Sequence, residues 1–191
     1  MKQGLEKFND LVSAFESLPS IGKKSAQRLA YDIVINDTFR GLKLSSAIED
    51  AIANIRTCTL CGAMSEHEIC ELCLDESRNN EILCLVQSAA DIFLIEDSKQ
   101  FDGKYFVLED MSLLIMEKLK EFILKNKIKE ILFALTPSIS NDGFMLYIEE
   151  QLKNFELCFS KIAQGVPTGV SLENVDILSL SKAIKAKTKI N

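Results

Sequence analysis

The chain has 191 residues, 47% hydrophobic and 7% aromatic, with 22 Lys+Arg against 28 Asp+Glu and a net charge of −6. That apolar content can bury a real core in one or two compact domains, and no apolar run approaches the roughly 18 residues that cross a bilayer. An acidic balance excludes nucleic-acid binding through bulk positive charge, so any such contact must come from a local patch. The opening residues MKQGLEKFNDLV are charged and periodic, which predicts a soluble cytoplasmic protein with reduced thiols and no membrane partner.

Leu5, Phe8, Leu11, Val12 and Phe15 recur at helical spacing, which predicts an amphipathic helix over residues 3–17 with one buried stripe, ended by Pro19. In LPSIGKKSAQRLAYDIVI, Pro19 and Gly22 shape a tight turn, and Ala26, Leu29, Ala30 and Ile33 form the inner face of a second helix. Two helices joined by a short glycine-bearing turn make a helix-hairpin-helix. Backbone N–H groups near Gly22 face outward at the positive end of a helix, where Lys23, Lys24 and Arg28 add charge, a pattern suited to sequence-independent phosphate contact. An ordinary helical corner with surface lysines is the competing reading of the same residues. A third helix is predicted from about Ser46 to Ile55, with Ser46 and Glu49 as a capping box and Ile48, Ile52 and Ile55 facing inward.

Cys58 to Cys73 reads CTLCGAMSEHEICELC, two Cys-x2-Cys pairs separated by eight residues. Four thiolates at that spacing can surround one tetrahedral zinc, each pair closing a knuckle over the metal. Cys58, Cys61, Cys70 and Cys73 are therefore candidate ligands of one structural zinc ion, and His67 is a solvated residue of the spacer. A catalytic zinc would need an open coordination position and a base.

Beyond the cysteines the pattern changes to alternation. EILCLVQ (81–87), KYFVLE (104–109), IKEILFAL (128–135) and ELCFSKIA (156–163) have strand character. Helical segments at 88–97, 111–126 and about 142–155 lie between them. Such alternation predicts a largely parallel sheet covered on both faces. Cys84 and Cys158, flanked by Leu and Phe, read as buried small hydrophobes. The segment QGVPTGVSLENVD (164–176) is a loop without the Gly-Lys-Ser/Thr of a P-loop, and a closing helix from about Leu178 runs into a tail whose last ten residues hold four lysines. The expected division is a helix-hairpin-helix domain (1–57), a four-cysteine zinc finger (58–80), an α/β domain (81–176), and a C-terminal helix with a basic tail (177–191). Lys/Arg against Asp/Glu is eight to seven over 1–57, one to five over 58–80, and 13 to 16 over 81–191.

The order of LPSIGKKSAQRLA, the four-cysteine array, VQSAADIFLIE and IAQGVPTG resembles the bacterial recombination mediator family RecR over nearly the whole chain. The resemblance implies that the α/β part is a Toprim-like domain, a fold that holds magnesium with a glutamate after the first strand and further acids after a later one. Gln87 occupies the first position here and Ser140-Asn141-Asp142 the later segment, so only Asp142 survives as a carboxylate and the pair reads as vestigial. The resemblance further implies a non-catalytic DNA-repair protein, nucleoid-associated during repair. Such a protein forms a ring-like homo-oligomer, a dimer or tetramer, and binds single- and double-stranded DNA. It works with RecO-type and RecF-type proteins to help load recombinase at single-stranded gaps. By carry-over, Lys24 and Arg28 match DNA-contacting positions of the family, and Lys23 stands where many members carry proline. Two rival classes are a metal-dependent nuclease or primase-like enzyme, opposed by the missing acids, and a zinc-stabilised adaptor that binds only protein, which DNA affinity would decide.

Overall fold

The computed structural model describes residues 4–110 and 112–187, and its backbone falls into two compact units, Met1–Ile55 and Arg56–Asn191. In the first, helix α1 (Glu6–Glu16) and helix α2 (Lys23–Tyr31) pack through Val12, Ala26 and Ala30, with Phe8, Leu11, Phe15 and Ile21 half-buried around them. The methyl side chains of Ala26 and Ala30 let the two axes approach closely. The buried stripe is narrower than the spacing predicts, since Leu5 and Leu29 are exposed.

A π-helical turn (Asp32–Asn36), closed by Asp37 N–H donating to Asp32 C=O at 2.8 Å, leads into helix α3 (Thr38–Asn54). This helix begins at Thr38 and not near Ser46, because Asp37 caps it by accepting from Arg40 N–H at 2.9 Å. Arg40 in turn bridges Asp32 and Asp37 at 3.1 Å each, fixing the start. Ser46 and Glu49 are therefore mid-helix and form no capping box; the Ser46 hydroxyl turns to Asp50 instead. Ile48, Ile52 and Ile55 are exposed where the periodicity predicted them inward, and α3 buries none of its residues.

In the second unit a two-stranded antiparallel ribbon, β1 (Arg56–Thr57) and β2 (Met64–Ser65), is followed by the one-turn helix α4 (Glu71–Leu74). The main sheet comprises β3 (Asn79–Val86), β4 (Gly103–Val107), β5 (Glu130–Ala134) and β6 (Cys158–Lys161), all parallel in the order β4-β3-β5-β6. Parallel neighbours need crossovers, here helices α5 (Ala89–Ser98), α6 (Leu113–Asn126) and α7 (Ile139–Gln151). The fold is thus the α/β alternation expected. Leu83 to Val86 are wholly buried, as central parallel strands covered on both faces must be. Ser88, Ser112 and Ser138 cap the three crossover helices, and α7 begins at Ile139, three positions ahead of the expected Asp142.

Cys84 is buried as expected, but Cys158 opens the edge strand β6 and is exposed, since an edge strand keeps one side toward solvent. A loop and a 3-10 turn (Leu172–Asn174) precede helix α8 (Ile177–Lys185), capped by Asp176. Lys189 of the expected basic tail lies outside the described residues, as does Met111 at the predicted start of α6. Among the described residues no helix is long and apolar enough to cross a membrane.

Candidate metal centre and nucleic-acid interface

The four cysteines of the double Cys-x2-Cys array converge, their Sγ atoms all lying within 4.8 Å of one another. Cys61 and Cys70 sulfurs are 3.5 Å apart, and those of Cys58 and Cys73 4.0 Å. A tetrahedral zinc with bonds of about 2.3 Å sets its sulfurs about 3.8 Å apart, so this donor set fits a four-coordinate metal ion. The local backbone explains the convergence. Cys58 N–H donates to Ala63 C=O at 2.7 Å and Gly62 N–H to Cys58 C=O at 3.0 Å, folding the first pair into a knuckle. Gly62 is required twice over: its φ is +79°, and a Cβ there would lie 3.0 Å from Val107 Cβ. The second pair sits on α4, where Cys73 N–H donates to Cys70 C=O at 3.1 Å, and Cys70 N–H donates to Cys58 Sγ at 3.3 Å.

The knuckle is part of the main core. Val107 N–H donates to Cys61 C=O at 2.8 Å, so the cysteine module covers the outer edge of β4, and Cys58, Cys61 and Cys70 belong to the same buried cluster as the sheet. Packing thiols this closely lets one ionise at the expense of others. Hydrogen bonds from Cys61 and then Cys73 hold Cys70 well below the usual thiol range, whereas Cys61 is pushed up by its bonds to Cys70 and Cys73 and by burial. A bound cation would allow all four to be thiolates together. His67 is exposed in the spacer and contributes nothing to the cluster.

At the hairpin, the left-handed residue is Ser20, with φ 66°, while Gly22 has φ −86° and serves as N-cap of α2. The glycine is therefore not demanded by backbone conformation, contrary to the expectation that it shapes the turn. A Cβ on Gly22 would meet nothing within 4 Å, so its absence leaves open space directly over the helix N-terminus. No side chain caps that end, no acid lies in the first turn, and Lys23 and Lys24 occupy it. Two cations at the positive end of a helix dipole are electrostatically unfavourable for folding, and an anion placed there would meet both the dipole and the lysines. Arg28 stands one turn after Lys24 on the same face, and all three cations are exposed.

A family model described as RecR, helix-hairpin-helix, matches residues 8–52. Relatives named Recombination protein RecR align over the full length: that of Nitratiruptor sp. is 56% identical over 190 residues, with both chains fully covered. That of Campylobacter jejuni strain 81-176 is 53% identical with the same coverage. The Helicobacter pylori strain HPAG1 relative is 46% identical over 188 residues, covering 98% of this chain and 97% of its own. The chain belongs to the RecR family. Its role is accordingly in recombinational repair, and its relatives are named for recombination and not for a reaction.

Within this RecR-family chain, Gln87 follows the C-terminal end of β3, and Ser140-Asn141-Asp142 lies in the first turn of α7, just after the neighbouring strand β5. Gln87 and Asn141 form a reciprocal amide pair, each donating to the other at 3.1 Å, and Asn141 also donates to Thr136 C=O at 2.6 Å. Asp142, the next residue of α7, pairs with Lys161 of β6 at 3.7 Å. The sequence reading did not anticipate Asn141 as the partner of Gln87; its place beside Asp142 was the available signal. Two further groups were also missed. Arg78 makes a bidentate pair with Glu96, at 3.0 and 2.7 Å, and donates to Gly103 C=O, while Tyr105 hydroxyl donates to Glu96 at 2.5 Å. Lys104, at the head of the apolar run KYFVLE, is buried against α4.

Proposed function

We propose that this protein is a non-catalytic DNA-binding scaffold of recombinational repair, holding one structural zinc per chain through Cys58, Cys61, Cys70 and Cys73. The observation that carries the DNA reading is the hairpin: an uncapped α2 N-terminus, open space at Gly22, and Lys23, Lys24 and Arg28 exposed together. Such a surface grips phosphates of single-stranded and duplex DNA alike, because main-chain N–H groups and cations read no base. All-sulfur donors and tetrahedral sulfur spacing favour zinc as the metal.

The Toprim-like part acts as framework. Neutral amides at Gln87 and Asn141 engage each other, and Asp142 alone offers one carboxylate where magnesium prefers several oxygen ligands. In keeping with the family, the chain works in the cytoplasm, at the nucleoid during repair. There it forms a ring-like homo-oligomer, a dimer or tetramer, that joins RecO-type and RecF-type partners to help load recombinase at single-stranded gaps. The test is a fluorescence-anisotropy titration of labelled gapped and single-stranded DNA with the parent and with Lys24→Glu/Arg28→Glu. Loss of binding to both substrates in a folded, metal-loaded variant is the expected result, and parental binding would remove the hairpin from the mechanism.

A further inference from the structure

Lys104 is the one buried charged side chain among the described residues, 3% exposed on the strand that the cysteine module covers. Its Nζ lies 3.1 Å from Leu72 C=O, 3.2 Å from Cys73 C=O and 2.7 Å from Asp75 C=O, three acceptors for the three donors of an ammonium. No carboxylate among the described residues lies within ion-pair distance of it: the Asp75 side chain accepts from Ser77 N–H and hydroxyl, at 2.9 and 2.6 Å, and these bonds, with smaller contributions from the charges of Arg78 and Lys104, hold its carboxyl below the ordinary value. A buried cation held only by carbonyl dipoles is costly by several kcal/mol, and a neutral residue would fill this strand position at lower free energy. The Asp75 carboxylate is exposed to water, which screens its attraction, so a second anionic group within the core would lower that cost further. Four thiolates around one divalent ion leave a net double negative charge, and Cys73 supplies both one of those sulfurs and one of the carbonyls that Lys104 holds.

We propose that Lys104 is the counter-ion of the Cys58–Cys61–Cys70–Cys73 metal centre, a positioning residue whose charge, beyond its hydrogen bonds, lowers the free energy of the tetrathiolate form. The proposal rests on the metal reading of the cluster. It explains why a lysine sits in a strand that is otherwise apolar, and why its stem crosses from β4 to the end of α4 and not to solvent. The carbonyls orient the ammonium, and the ammonium offsets the charge that four thiolates bring into a water-poor site.

The experiment uses the full chain loaded with Zn2+ and compares the parent with Lys104→Gln, which keeps donors without charge, and Lys104→Arg, which keeps charge. Metal affinity is read by competition with a chromogenic zinc chelator at several pH values, and ligand geometry by the absorption spectrum after Co2+ substitution. Lys104→Gln is expected to bind zinc about 10–100-fold more weakly, the range typical of groups that act on ligands without touching the metal. Its uptake midpoint should move to higher pH, because thiolates form less readily without the cation. The arginine variant is expected to keep affinity near the parent, with an unchanged four-sulfur Co2+ spectrum in both. A glutamine variant with parental affinity and pH midpoint would show that only hydrogen bonding matters and would overturn the counter-ion. Should arginine prove too bulky to fold, the glutamine comparison decides alone, and Lys104→Met gives a second neutral variant. A parent that takes up no metal at all would overturn the metal reading itself, an outcome distinct from the equality of parent and glutamine variant.

Discussion

Replacing Lys24 and Arg28 with alanine removes two exposed cations from one face of α2 while leaving the buried Ala26 and Ala30 contact untouched. Each phosphate contact contributes about 0.9 to the log–log salt slope of duplex binding, so two lost contacts per engaged chain flatten it by about 1.8, and by about 3.6 where two chains grip one duplex. At about 0.1 M monovalent salt the same relation makes each lost contact worth about eightfold in affinity, and the pair about 60-fold. Folding should be indifferent or slightly favoured, since surface changes of this kind stay within about 0.5 kcal/mol and Lys24 opposes the helix dipole. The net charge of −6 sharpens the expectation, because few other clusters of cations can take over. The assay is anisotropy against salt for a labelled gapped duplex, with metal content and thermal midpoint measured on the same samples. A folded, metal-loaded double variant whose affinity and salt slope match the parent would refute the phosphate-contact argument and leave the lysines of the C-terminal segment as the next candidates.

Cys70→Ser should lose its metal and, if the parent is stabilised by metal at about a thousandfold excess over Kd, fall in stability by about 4 kcal/mol, or about 10 °C in Tm. Metal analysis paired with calorimetry checks this, and unchanged melting in a metal-free variant would contradict it. Glu96→Gln should cost about 3 kcal/mol at neutral pH, because Arg78, whose side chain is 10% exposed, loses its carboxylate partner. The Arg78 hydrogen bonds hold the Glu96 carboxyl below its ordinary value, so its stabilisation is present above the unfolded carboxylate pKa of about 4.3 and is lost as pH falls below it. Denaturation midpoints of parent and variant should therefore differ at neutral pH and converge in acid; a gap that persists in acid would assign the effect to packing. Incubation with supercoiled or single-stranded DNA and magnesium should yield no cleavage or synthesis, and turnover abolished by Asp142→Ala would show that the domain is an enzyme.

Some features could be read without coordinates because the interactions that make them are local. The four cysteines specify their own cluster, since a knuckle of about four residues closes on its own hydrogen bonds and the second pair needs only one helical turn. The α/β alternation was equally legible, because strands buried on both faces must be continuous apolar runs, although the serines that cap the crossover helices were not read as their starts. The hairpin cations were visible as well, although the structural role of Gly22 was not. Whether a turn's left-handed position falls on Ser20 or Gly22 depends on how α1 and α2 pack, and that packing is tertiary.

Pairings between residues distant in sequence came from the assembled fold alone. Gln87 meets Asn141 because β3 and β5 are neighbours in a parallel sheet, and Lys104 meets the carbonyls of Leu72, Cys73 and Asp75 because the cysteine module lies along β4. Helix α3 could not be bounded from Ser46 and Glu49, since that spacing fits a cap or a helix interior equally and the cap went to Asp37, braced by Arg40. Cys158 was misjudged for a related reason: an apolar run signals a strand but not its place in the sheet, and at the β6 edge one side remains in solvent. Periodicity reports which side chains share a face, and only the folded chain determines what, if anything, that face is packed against.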